Sequence, residues 1–153
     1  MVAGRSRRKS GRATSDTVVL DCSVAMAWYF ADEADEYADA VARSLSMRRA
    51  IVPVLWPLEI ANTLVMGERR GRSTESQAAA FVRFLQGLRI IVDAAGTLAA
   101  WTETLAIARR HGLSAYDAAY LELAIRTASP LATRDKPLES AAKAAGVVLF
   151  ARG

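Results

Sequence analysis

Asp21, Glu59, Asp117 and Asp135 are the residues of this sequence whose type and placement could do chemistry. Asp21 closes the run VVLD (18–21), and Glu59 is the only charge in IVPVLWPLEIANTLVM (51–66). Asp117 is the only charge in GLSAYDAAYL (112–121), and Asp135 follows PLAT (130–133) by two residues. An ionised carboxylate among apolar side chains is costly unless something pairs with it. Local roles exist for each acid: Asp21 and Asp135 as helix N-caps, Glu59 in a first turn after Pro57, and Asp117 as the last member of a Ser-x-x-Asp capping box begun by Ser114. Taken together, four acids at element ends suggest a shared cation that offsets the cost of gathering negative charge. Hard oxygen donors without His or Cys companions favour Mg²⁺ or Mn²⁺ over zinc. The chemistry implied is metal-assisted phosphoryl transfer or hydrolysis, in which an ion lowers the pKa of an attacking water and neutralises a phosphate.

Small polar neighbours accompany the acids. Ser23 lies two residues after Asp21, Thr133 two before Asp135, and Asn62 about one helical turn after Glu59. These can support carboxylates or metal-bound waters through hydrogen bonds. Equally, Ser23 and Thr133 can satisfy backbone groups and Asn62 can be a surface residue. The single histidine, His111, follows two arginines near a helix end, which reads as a partner for the helix dipole rather than as a base.

The elements that must position these residues alternate short β-branched runs with longer Ala- and Leu-rich segments, the pattern of an α/β protein with a parallel sheet. Strands are expected at 17–21, 50–53, 89–92, 130–133 and 146–150. Helices are expected at 33–47, 57–70, 74–87, 95–110, 114–127 and 136–145, with a short helical turn after Asp21. Gly71 and Gly112 read as helix stops, and Ser73, Ser114 and Asp135 as helix starts. In open parallel sheets, ligands bind beyond the carboxyl ends of the strands, where the chain order reverses. Asp21 and Asp135 fall on one such edge if their strands are central.

Composition bounds the setting. With 153 residues, 52% hydrophobic and 24% charged, the chain reads as one globular domain from residue 17 onward. Its net charge of +4 resides in residues 1–16, where Arg5, Arg7, Arg8, Lys9 and Arg12 stand against Asp16. The rest is balanced, with 15 basic and 15 acidic side chains. The basic leader reads most simply as a disordered tail, at most a weak contact for nucleic acid or a membrane surface. Asp16 and Asp21 interrupt what would be the apolar core of a signal peptide, and no uncharged run reaches the length of a membrane span. One cysteine, Cys22, cannot form an internal disulfide, so a reducing cytoplasm is the expected compartment, with no membrane partner.

The motifs VVLDCSVAMAW, LWPLEIANTL, GLSAYDAAYLELA and PLATRDKPLESAAKAAGV, in this order, resemble the PIN-domain family in its VapC-type toxin branch, from about residue 17 to 150. The resemblance implies a Rossmann-like three-layer α/β/α domain with a central parallel sheet and an endoribonuclease site. It also implies an acidic quartet at Asp21, Glu59, Asp117 and Asp135, with Thr133 and Ser23 at the small hydroxyl positions. On this reading Asp21, Asp117 and Asp135 hold Mg²⁺ or Mn²⁺, and Glu59 positions the water or a second ion. An RNA substrate, a small cognate antitoxin and a homodimer are the partners implied.

For RNA contacts, Arg134 and Lys136 beside Asp135 are the favoured basic pair. Arg48 with Arg49, and Arg69 with Arg70 and Arg72, read instead as solvated helix ends. Trp28, Tyr29 and Tyr116 could stack on bases but read more simply as packing residues. Two rivals stay open. A haloacid-dehalogenase-like phosphatase would use Asp21 as nucleophile, but its second acid would fall on Ser23. A non-catalytic module would use the acidic pocket only to dock a basic partner.

Overall fold

The computed structural model describes residues 16–151. The basic leader, up to residue 15, lies outside them. Strands β1 (Thr17–Leu20), β2 (Arg49–Pro53), β3 (Ile90–Asp93) and β4 (Leu131–Ala132) form one parallel sheet in the order β3-β2-β1-β4. Val18, Val19 and Leu20 are fully buried although neighbouring side chains of a strand point to opposite faces, so both faces of β1 are covered. This is the three-layer α/β arrangement expected from the alternation of β-branched and Ala/Leu-rich segments.

The helices are α1 (Cys22–Tyr29), α2 (Glu36–Ser44), α3 (Trp56–Arg69), α4 (Glu75–Gln86), α5 (Gly96–Ala99), α6 (Leu105–His111), α7 (Ala115–Thr127) and α8 (Lys136–Ala144). A wider turn, Ala100–Thr104, joins α5 to α6. Gly112 adopts φ +63° and ends α6, as expected of a residue without a Cβ. Ser114 caps α7 by accepting a hydrogen bond from the Asp117 amide at 3.1 Å.

Four sequence expectations need correction. The turn after Asp21 is a full helix, α1. The helix expected over 33–47 divides into a 3-10 turn, Ala31–Glu33, and α2, because Asp35 caps α2 by accepting from the Ala38 amide at 2.7 Å. Thr74, not Ser73, starts α4, since its hydroxyl and the Gln77 side chain exchange hydrogen bonds with each other's amides. The expected fifth strand, 146–150, is reduced to a single parallel bridge between Leu131 and Leu149. Strand β4 is only two residues long, so Leu131 alone presents both backbone groups to it, donating to Val148 O and accepting from Phe150 N.

The chain runs outward from β1 to β2 and β3, then returns to place β4 on the other side of β1. The order therefore reverses at β1, and the crevice between the carboxyl ends of β1 and β4 is where a ligand is accommodated in such sheets. Asp21 stands there, its amide donating to Ala132 O at 3.0 Å.

Candidate active site

A cleft of about 1050 Å³ opens at this edge, and Asp21, Glu59, Asp117 and Asp135 all line it. Each arrives on a different element: Asp21 between β1 and α1, Glu59 in the first turn of α3, Asp117 in the first turn of α7, and Asp135 at the N-cap of α8. Four acids from separate stretches of sequence thus share one volume.

Asp21 is 5% exposed. Its Oδ2 accepts from the Ser23 hydroxyl at 2.6 Å and from the Thr133 hydroxyl at 2.8 Å. Both donors are spent on the same oxygen, and Oδ1 takes neither. The two hydroxyls are fixed in turn, Ser23 accepting from the Arg134 amide and Thr133 from the Asp135 amide, each at 3.0 Å. Asp21 makes no side-chain cap on α1, so capping does not explain it. Burial pushes its carboxyl above the ordinary range, the two hydroxyls pull it back, and the charges of Asp117 and Asp135 push it further up.

Glu59 accepts from the Tyr120 hydroxyl through Oε1 at 2.7 Å. Its carboxyl is raised by burial and by the charges of Asp21 and Asp117, against the lowering effect of Tyr120. Asp117 is raised by burial and by Asp135, against Ser114. Asp135 caps α8, its Oδ1 accepting from the Leu138 amide at 2.8 Å, so for this residue the capping role holds alongside membership of the cluster.

Tyr120 escaped the sequence reading. It is fully buried, and its hydroxyl is pushed far up by burial and by the charges of Asp21 and Glu59, so it donates as a neutral phenol. The signal was present: Tyr120 follows Asp117 by three residues, hence on the same face of α7, and a buried tyrosine hydroxyl needs a polar partner. Asn62 is exposed and does not line the cleft; Thr63 lines it instead. A residue four positions on lies closer to the same helical face than one three positions on, and Thr63 is bonded to the Glu59 carbonyl at 2.9 Å.

Cys22 also lines the cleft, but burial and the charges of Glu59 and Asp21 push its thiol up to about 12. It is therefore a protonated packing residue at neutral pH. His111 ends α6 and lines a different cavity. Trp28 and Tyr29 pack against Phe84 and Phe81 respectively, as packing residues should, whereas Tyr116 is 67% exposed. Arg48 lies against Phe150 in a separate cavity.

The charge of the cleft is uneven. Seven acids line it against Arg72, Arg134 and Lys136. Those three cations are engaged by Asp32, Glu33, Asp35 and Glu139, none of them a member of the quartet. Among the described residues, no group of three or more His, Cys, Asp or Glu side chains is arranged as it stands to hold a metal ion. The donor set nevertheless fits a hard dication in kind, being all oxygen and like-charged, with Asp21, Glu59 and Asp117 raised by burial and by neighbouring carboxylates. Mg²⁺ takes one or two carboxylates directly and keeps waters or phosphate oxygens in its other positions, so a ready-made cage is not required.

Comparison with known proteins bears on the family and the fold. The profile of the PIN domain matches residues 18–144. Ribonuclease VapC3 of Pyrobaculum aerophilum is 30% identical over 122 residues, which cover 79% of this chain and 91% of that protein. Among solved structures, PAE2754 from Pyrobaculum aerophilum superposes with a TM-score of 0.59 at 24% identity, over 90% of this chain and 86% of the other. A chain of VapBC2 from Rickettsia felis, solved bound to a DNA fragment from its promoter, gives 0.60 at 13% identity, over 88% and 97%. At these identities the two structures speak to the fold alone.

Proposed function

The chain belongs to the PIN-domain family, and from that premise we propose that it is a metal-dependent endoribonuclease, the toxin of a VapBC-type toxin–antitoxin pair. The observation that carries the reading is the convergence of Asp21, Glu59, Asp117 and Asp135 on one cleft, with no basic partner of their own among the described residues. The relative named as a ribonuclease, aligned over most of both chains, supports it.

Asp21, Asp117 and Asp135 would hold Mg²⁺ or Mn²⁺ directly or through water. When bound, the ion supplies charge neutralisation at the phosphate and lowers the pKa of a water. Asp21 enters this role with Oδ2 committed to Ser23 and Thr133, so its carboxylate cannot turn freely. Glu59, held by Tyr120, positions the attacking water and has the proton affinity to receive its proton, being raised by burial and by its neighbours' charge. The water oxygen bonds to phosphorus, one ester P–O bond breaks, and the leaving oxygen takes a proton from solvent. Cys22 stays protonated, and no covalent enzyme intermediate is involved.

The partners follow from the same reading: RNA as substrate, a small antitoxin that blocks the cleft, and a second copy of this chain. Leu98 and Trp101, each 86% exposed, are apolar surface of the kind a protein partner covers. Among the described residues no helix is long and apolar enough to cross a membrane, and the cytoplasm is the compartment in which such an enzyme meets its RNA.

The experiment is cleavage of total cellular RNA by purified, antitoxin-free protein, with Mg²⁺ or Mn²⁺, with chelator, and with Asp117→Asn. Discrete products that vanish with chelator and in the variant are expected. Hydrolysis of a small phosphate ester through a phosphorylated Asp21, with RNA left intact, would sink the reading in favour of a phosphatase.

A further inference from the structure

We propose that Arg72 and Arg134 form a two-arginine clamp for a phosphodiester of the bound RNA strand, and that Glu33 occupies this clamp in the free protein. The inference rests on the ribonuclease reading and deepens it by assigning the residues that hold the strand beside the acids.

The geometry is that of a carboxylate standing in for a phosphate. Arg72 lies beyond the end of α3 and Arg134 beyond the end of β4, yet both line the acidic cleft with Glu33. Glu33 Oε1 lies 3.0 Å from Arg72 Nη2, and Glu33 Oε2 lies 3.9 Å from Arg134 Nη1. One carboxylate thus turns an oxygen toward each guanidinium, as two non-bridging oxygens of a phosphodiester would. Arginine forks suit both anions.

Each guanidinium is held by contacts other than Glu33. The Arg72 guanidinium carbon sits 3.8 Å from the centroid of the Phe30 ring. Phe30 is itself buried against α3, where a Cβ at Gly67 would approach the ring to 3.1 Å. Arg72 Nη2 also reaches both Asp32 oxygens at 3.1 Å, but Asp32 is 73% exposed and that pair is weak, so the Phe30 ring is the contact that fixes this guanidinium. Arg134 donates from Nε to Asp35 Oδ2 at 2.8 Å and from Nη1 to the Ser23 carbonyl at 3.4 Å. The clamp is therefore preorganised, with Arg134 tied to the same Ser23 that supports Asp21.

Glu33 is the part that can leave. It is 36% exposed and stands in the short turn Ala31–Glu33, where ion pairs facing water are weak. The need for a clamp follows from the charge of the cleft, since a polyanion approaching this acid-rich surface meets repulsion everywhere except at its cations. Of these, Lys136 is 81% exposed and pairs with Glu139 in the first turn of α8, so the two arginines are the cations held in fixed orientation.

The test is binding of a fluorescein-labelled single-stranded RNA of mixed sequence, followed by anisotropy in chelator so that nothing is cleaved, over a range of salt. Glu33→Gln is expected to tighten binding about fivefold, the scale of releasing a surface ion pair. Arg72→Gln and Arg134→Gln are each expected to weaken it, and the two together to flatten the slope of log K against log salt by about 0.7, the one phosphate they share. Glu33→Gln should give no tightening once both arginines are replaced. Equal tightening by Glu75→Gln, an acid outside the cleft, would reduce the effect to net charge and overturn the clamp. So would unchanged affinity and salt slope in the two arginine variants while the wild-type protein still cleaves RNA with Mg²⁺ or Mn²⁺. No RNA cleavage by the wild type under any of these ions would instead overturn the ribonuclease reading, and the clamp with it.

Discussion

Asp21 and Glu122 are buried alike, each 5% exposed, and they sit in opposite electrical surroundings. Glu122, near the middle of α7, accepts from Arg126 Nε at 2.6 Å, and Arg126 reaches on to Asp93 Oδ2 at 2.6 Å, tying α7 to the end of β3. Arg126 holds the Asp93 carboxyl below its ordinary range, helped by the amide of Gly96 at 2.9 Å. Gly96 fits there because a Cβ would come within 3.1 Å of that carboxylate. At the other end of the same helix, Asp117 is pushed up by burial and by Asp135, as Asp21 is by burial and by both. Burial does not separate a working site from scaffolding here. The presence or absence of a counter-charge among the described residues does, and four acids kept without one cost stability that a bound cation would recover.

The largest effect expected of breaking that contrast is chemical. Asp21→Asn keeps the acceptor that Ser23 and Thr133 need but removes the charge. Cleavage should fall on the order of 10³-fold or more, the scale of several kcal/mol of lost charge stabilisation. The thermal midpoint without metal should rise, because the repulsion is gone. Single-turnover cleavage and a calorimetric melt check both halves, and a lower midpoint with cleavage retained would contradict the contrast.

Arg126→Ala is the reverse case. It strands Glu122 and Asp93, and should cost about 2 kcal/mol, kept to the low side by the guanidinium being a third exposed. Cleavage per folded molecule should not change. Urea unfolding alongside activity decides this, and a specific loss of cleavage would place the Arg126 network in the working site.

Tyr120→Phe probes the join between the two regimes, since it removes the hydroxyl that donates to Glu59 and no charge. A loss of roughly tenfold in kcat is expected, the usual scale for a group that orients a ligand side chain. The stability change should stay near 1 kcal/mol. An unchanged kcat would make Tyr120 a packing residue only.

The smallest expected effect is the pH dependence of stability. The raised carboxyls of Asp21, Glu59 and Asp117 favour the fold when protonated, so their stabilising contribution is present at low pH and is lost as pH rises through their raised values. Asp93 and Glu139 are lowered, and their contribution is lost as pH falls through the lowered values. Without metal, the midpoint should rise as pH is lowered from neutral through the raised values, and fall again in stronger acid through the lowered ones. Added Mg²⁺ should stabilise at neutral pH and progressively less as pH is lowered, and a pH-independent shift would show binding elsewhere.

Much of this was legible in the sequence because its signals are local. Three β-branched runs and the short apolar PLAT became strands, Gly112 and Ser114 mark a helix end and a helix start, and the isolation of Asp21, Glu59 and Asp117 announced carboxylates without basic neighbours. What was not legible depends on contacts far apart in the chain. The bond from Thr133 to Asp21 spans 112 residues and that from Tyr120 to Glu59 spans 61. The segment 146–150 has strand composition, but pairing is set by its neighbour, and β4 offers only Leu131. Arg72 read as a solvated helix end because the acidic turn that meets it lies 39 residues away and was expected within a helix.

Binding of Mn²⁺ by the full chain, followed by electron paramagnetic resonance, tests the central claim most directly when Asp21→Asn and Asp93→Asn are compared with the wild type. Capture of Mn²⁺ by the wild type and by Asp93→Asn, with its loss in Asp21→Asn, is the result expected if acids without counter-charge are the ion's ligands. Equal capture by all three proteins, or none by a wild type that still cleaves RNA in chelator, would contradict it.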